Sequence, residues 1–181
     1  MNLARMVAVF LALLGASPEA KAELAPEARA AIDAMLECER PEGGWMYVCA
    51  PNRGSHGVTK IVNLGARVTS ALGLPLWDLV VLRSPGTPAA GLLLVEAWRR
   101  SGDPRYLEAA RRSGDLLLDI QLPGGGWFSE MPVHGRALAF WFKWYVPWAT
   151  LDDDVTTGAV RLLLDLYEAT GDPRYLAGAD R

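Results

Sequence analysis

The chain has 181 residues, 51% of them hydrophobic and 22% charged, with a formal net charge of -3. This is the composition of a globular protein, and it excludes a disordered tail, a collagen and a disulfide-dense mini-scaffold. There is no Lys/Arg excess to neutralise phosphates, so a nucleic-acid partner is excluded as well.

The N-terminus begins with a basic start at Arg5 and continues as an apolar run over residues 6–15. Ala20, Lys21 and Ala22 then satisfy the small-x-small cleavage rule. A cleaved export signal over residues 1–22 is expected, leaving one domain over 23–181 in a secreted or periplasmic location. The apolar run is too short to cross a bilayer, so no stable membrane span is expected. Export changes how Cys38 and Cys49 are read, since they are the only cysteines. In an oxidising compartment they suit a bridge that closes a short loop, worth about 2–3 kcal/mol by chain entropy. Two unpaired buried thiols are the alternative. With no histidine nearby, the pair makes a poor zinc site.

Residues 27–38 follow an amphipathic helical pattern and run into Gly43, Gly44 and Trp45. A helix over about 88–100 is followed by Gly102, Asp103 and Pro104, and a second helix runs over about 104–121. Gly just past a helical pattern, Asp as N-cap and Pro at the first helical position make a very tight helix-to-helix joint. The second helix runs into Gly125, Gly126 and Trp127. Residues 138–145 are apolar and aromatic without clean alternation, and their state stays open. A further helix starts near Asp154, the expected N-cap, and runs to Ala169. No strand period is visible, so the class is all-α.

The chain repeats itself. Ser101-Gly-Asp-Pro-Arg-Tyr-Leu107 returns 69 residues later as Thr170-Gly-Asp-Pro-Arg-Tyr-Leu176. Repeats at such periods mean stacked supersecondary units. Helical hairpins in series, joined by Gly-Gly-Trp loops, predict part of an α/α toroid. A closed ring needs more pairs than these, and residues 175–181 match a helix that is still beginning at 106–112. The domain is therefore expected to be incomplete at its C-terminus. The Gly-Gly-Trp turns read as tight bends whose Trp plugs the gap between helix pairs. Trp127 lining a glycan groove is the functional alternative.

Three features in order resemble the pectate lyases of polysaccharide lyase family 10. They are Gly43-Gly44-Trp45 after a helix, the helix–Gly-Asp-Pro–helix unit running into Gly125-Gly126-Trp127, and Leu151-Asp-Asp-Asp-Val-Thr-Thr157 opening the next helix. The resemblance covers about residues 27–181. It implies cleavage of polygalacturonate by β-elimination, with a divalent cation, usually calcium, neutralising the uronate carboxylate. The family's catalytic base lies farther downstream, so the resemblance assigns no catalytic residue here, and this form is expected to be inactive if it is truncated.

Calcium takes several oxygen ligands. Asp152, Asp153 and Asp154 are the dense carboxylate cluster of the sequence and the candidate metal ligands; an N-cap with acidic neighbours is the alternative reading. Trp127, Trp141, Trp144, Tyr145 and Trp148 cluster within 22 residues. Aromatic rings suit the apolar faces of sugars, while core packing is the alternative. Arg136 and Lys143 lie in the same stretch and suit uronate carboxylates. Trp127, Arg136, Lys143 and Trp144 are the candidate substrate-binding residues. His134 is a proton-transfer candidate or a loop residue, and His56 reads as a loop residue. A non-catalytic glycan-binding or interaction fragment on the same scaffold is the second functional reading. A terpene-cyclase-like fragment fits the Gly-Gly-Trp turns but suits export badly. A sugar epimerase or glycosidase toroid stays open.

Overall fold

The computed structural model describes residues 24–45, 79–132, 149–151 and 154–181. The expected signal segment, Cys49, His56 and the aromatic stretch from His134 to Trp148 lie outside them. The described residues are mainly helical. The elements in order are α1 (Pro26–Leu36), β1 (Leu79–Val81), α2 (Thr87–Ser101), α3 (Pro104–Ile120), β2 (Glu130–Pro132), α4 (Val155–Thr170) and α5 (Pro173–Ala179). Among the described residues no helix is long and apolar enough to cross a membrane.

The joints α2–α3 and α4–α5 have the construction expected of Gly-Asp-Pro. Gly102 and Gly171 take left-handed backbone angles, φ +72° and +71°. Their amides donate to the carbonyls of Trp98 and Tyr167 at 2.8 and 2.7 Å. Asp103 and Asp172 cap the following helices by accepting from the amides of Arg105 and Arg174, each at 3.0 Å. The residue before each glycine adds a further link. Ser101 Oγ donates to the Ala97 carbonyl at 2.7 Å and accepts from the Asp103 amide at 3.1 Å. Thr170 does the same with Leu166 and Asp172, at 2.6 and 3.2 Å. A hydroxyl residue in front of Gly-Asp-Pro thus ties the end of one helix to the start of the next.

The hairpins stack in two rows. α2 packs on α4, with Gly91 lying directly against Leu162. α1, α3 and α5 form the other row, linked by a repeated polar contact. Tyr106 on α3 donates its hydroxyl to Asp33 on α1 at 3.1 Å, and Tyr175 on α5 donates to Asp115 on α3 at 3.1 Å. The guanidinium groups of Arg105 and Arg174 reach the same two carboxylates at 3.4 and 3.3 Å. α2 is buried almost all round, on Ala90, Leu93, Leu94, Val95 and Ala97. That is the pattern of a helix enclosed by its neighbours.

Tyr106 and Tyr175 are fully buried. Burial, then the facing aspartate, holds the Tyr106 phenol above its ordinary range, and burial with the Asp115 charge pushes Tyr175 up to about 12. The folded chain therefore keeps protons that the unfolded chain releases near pH 10. The stability this lends is complete below pH 10 and is lost as the pH rises towards 12. The urea midpoint is expected to fall as the pH rises from about 10 towards 12, and to fall less in the Tyr106→Phe/Tyr175→Phe protein. Equal slopes in the two proteins would exclude these phenols as the cause.

One element departs from the all-α reading. β1 and β2 form a two-stranded antiparallel sheet, with Leu79 opposite Pro132, Val80 opposite Met131 and Val81 opposite Glu130. Strands of three residues are too short to show a period-2 pattern.

Candidate functional site

The two Gly-Gly-Trp turns are built alike. In the first, the Arg40 amide donates to Gly44 O at 3.1 Å and the Gly43 amide to Arg40 O at 2.9 Å. In the second, Leu122 and Gly125 make the same bonds to Gly126 and Leu122 at the same distances. Each Trp turns back onto its own preceding helix. Trp45 Nε1 donates to Met35 O at 2.9 Å and Trp127 Nε1 to Leu117 O at 2.8 Å. Both rings are buried in the core, Trp127 completely.

Each turn also forms a socket for the start of the next first-row helix. The Trp45 carbonyl accepts from the Val81 amide at 3.0 Å, and the Trp127 carbonyl from Thr150 at 2.7 Å. The Trp45 amide donates to Thr87 Oγ1 at 3.0 Å, and the Trp127 amide to Thr156 Oγ1 at 3.4 Å. Thr156 Oγ1 in turn donates to Thr150 O at 2.8 Å. Val81 and Thr150, like Thr87 and Thr156, stand 69 residues apart.

This register sets Arg83, Ser84 and Pro85 of the first socket against Asp152, Asp153 and Asp154 of the second. The first socket is built without a carboxylate at those positions, so the fold does not require acids there. Asp154 holds the N-cap position of α4, but its side chain makes no capping hydrogen bond and its backbone is left-handed at φ +56°. The expectation that Asp154 caps the helix is thus corrected: the hydroxyl of Thr156 ties down this start, and the exposed Asp154 carboxylate is left out of the cap. A non-glycine residue with positive φ is uncommon and marks local strain. The amides of the first turn of α4, which have no acceptor within the helix itself, favour negative charge nearby.

Trp127, expected as a substrate-binding residue, is corrected too. It has no exposed surface and its N–H is engaged inside the protein, so its ring is a structural plug. Arg136, Lys143, Trp144, Asp152 and Asp153 lie outside the described residues. Cys38 is disulfide-bonded; Cys49, the other cysteine of the sequence, lies outside the description. Among the described residues no three His, Cys, Asp or Glu side chains come together as a metal-binding group.

The sequence reading gave no structural role to Thr87, Thr156, Asp33 or Asp115. All four are repeated features, and extending the 69-residue register beyond Gly-Asp-Pro would have exposed the two threonines. A difference between the units is also informative. Glu39 pairs with Arg112 at 2.5 Å, and burial raises its carboxyl above the ordinary range despite that partner. The matching residue after α3 is Gln121, which donates to Gly178 O at 2.8 Å. Compared with known proteins, the chain matches no protein family, no curated protein and no solved structure.

Proposed function

We propose that this protein is an exported, pectate-lyase-like α/α-toroid protein acting on polygalacturonate by calcium-assisted β-elimination. The observation that carries the reading is the acidic triplet at the second socket. The equivalent socket does without it, and Asp154 leaves its carboxylate out of the helix cap. An exposed carboxylate at that place suits a hard cation, which takes oxygen ligands. Asp152, Asp153 and Asp154 would hold the ion, which when bound supplies neutralisation of the uronate carboxylate next to the acidic C–H. Arg136 and Lys143 would orient neighbouring uronates through their carboxylates, Arg by paired hydrogen bonds. Trp144 would stack on an apolar sugar face. The base that takes the proton is not assigned to a residue.

Replacing Asp152, Asp153 and Asp154 together by alanine tests the reading. Calorimetry with oligogalacturonates and calcium is expected to show affinity weakened at least about tenfold, or 1.4 kcal/mol. Without calcium, the parent and the variant should bind equally weakly. Unchanged affinity in the presence of calcium would sink the assigned role. Calcium-dependent binding by the parent, without unsaturated products detectable by ultraviolet absorbance, would favour the non-catalytic glycan-binding reading.

A further inference from the structure

The large apolar side chains that stand exposed among the described residues are Leu151, Leu164 and Leu176, at 79%, 39% and 40%. Each lies 69 residues after an apolar position of the preceding unit that is buried or partly buried. Leu151 corresponds to Leu82 and Leu164 to Val95, which are 1% and 0% exposed. Leu176 corresponds to Leu107, which packs against the core. The same shift takes buried Pro88 and Gly91 of α2 to Thr157, which is exposed, and Val160, which is half-buried, on α4.

The face of α2 that carries Pro88, Gly91 and Arg99 meets α4. Gly91 and Pro88 meet Leu162 and Gly158 of α4. The Leu82 amide donates to the carbonyl of Ser129, just before β2, at 2.8 Å. Arg99 of α2 reaches forward to Asp165 and Glu168 of α4 at 3.3 and 3.4 Å. In the 69-residue register Glu168 occupies Arg99's place, so the sign of the forward-reaching charge is reversed. Pro88, Gly91 and Arg99, through which α2 meets α4, thus map onto Thr157, Val160 and Glu168 of α4, and Leu164 lies on the same face of that helix.

We propose that the outer face of α4 and α5 docks another helix–Gly-Asp-Pro–helix hairpin in the same register. Its first helix carries a small residue opposite Val160, where Val has replaced Gly91, and a basic residue opposite Glu168. A second copy of this chain stacked in the same sense does not fit. To cover α4 with its own α2, it would bring its α1 onto the place that α5 already fills. The proposal is independent of any lyase activity.

The test extends the full chain past Arg181 by a second copy of residues 113–181, which continues the register. The appended copy alone carries Leu162→Ala, Asp165→Lys and Glu168→Lys. Stacked repeats gain stability from each new interface. The extended protein is expected to melt higher than the parent, and a Leu164→Cys thiol in the original α4 should react more slowly with a disulfide reagent than in the parent. The same Tm and the same labelling rate would overturn the proposal. Leu164→Glu in the parent is a second check that needs no new fold: the open face predicts an unchanged Tm. A clear loss would show that Leu164 is already engaged within the chain and would overturn the proposal. So would a parent dimer that Leu164→Glu dissociates, because it would put a second copy on the face.

Discussion

Trp127→Ala is expected to destabilise the protein by about 3–5 kcal/mol, the range for truncating a fully buried large aromatic. The ring fills the space between α3 and the start of α4, and no part of it reaches solvent. Truncation also strands the Leu117 carbonyl, which the indole N–H satisfies at 2.8 Å. A buried acceptor left without a partner adds about 1–3 kcal/mol. Domains of ordinary stability hold about 5–15 kcal/mol in all, so the variant is expected to be close to unfolding. Trp127→Phe separates the two contributions, restoring most of the volume but not the donor, and should fall between parent and alanine variant. The check is the urea midpoint of each protein at equal slope. A Trp127→Ala protein as stable as the parent would show that the ring is no plug and would return it to the candidates for sugar stacking.

Gly43→Ala should be the most damaging of the glycine replacements in the first turn, at about 2–5 kcal/mol. The estimate joins about 1–2 kcal/mol for a left-handed residue with a Cβ and about 1–3 kcal/mol for overpacking. Gly43 has φ +91°, and a Cβ there would lie 2.5 Å from the backbone oxygen of Arg112. Backbone on a packed helix cannot swing aside as a side-chain tip can. Gly102→Ala is the control. It shares the positive φ, +72°, but a Cβ there meets nothing within 4 Å. Only the dihedral contribution, about 1–2 kcal/mol, should remain. Thermal or urea unfolding of the two variants side by side gives the difference; equal losses would mean that the close approach to α3 is not tight.

The helices and their joints were legible because several local signals agree. Gly102, Asp103 and Pro104 each restrict the backbone in a different way, and α3 and α4 follow apolar periods. The pairing of β1 with β2 was not legible. Each strand has three residues, and their contact is set by the sockets, not by local preference. The sequence also shows two separate signals, Gly-Asp-Pro and Gly-Gly-Trp, where the fold has one repeating unit. The reason is an unequal spacing. Trp45 lies 36 residues before Val81, whereas Trp127 lies only 23 before Thr150. Those extra residues displace the first Gly-Gly-Trp from the 69-residue register, and the equivalence of Asp33 with Asp115 is hidden with it.

At the candidate site, the acidic triplet was visible as a cluster of like charge, but the role of Asp154 was not. An aspartate before a helix is the usual cap. Here the competing bond from Thr156 to Thr150 fixes the start instead, and it depends on where Trp127 brings its amide. Burial decided the case of Trp127. An aromatic in a glycine-rich turn is equally at home on a surface or in a core, and complete burial with the bond to Leu117 distinguishes the two.

The wiring between units has a kinetic consequence. Among the described elements, the links from α1 to α3 and from α3 to α5 skip one helix each, and Asp33 to Tyr106 and Asp115 to Tyr175 span 73 and 60 residues. Each added hairpin therefore closes a loop of nearly the same length, and the entropy of closure changes little from one step to the next. Growth from any nucleus proceeds by equal increments along a line, and damage spreads in the same way. A substitution that loosens Tyr175 from Asp115 should raise the opening rate of the last hairpin, as read by amide exchange, while the exchange of α1 stays at its parent rate.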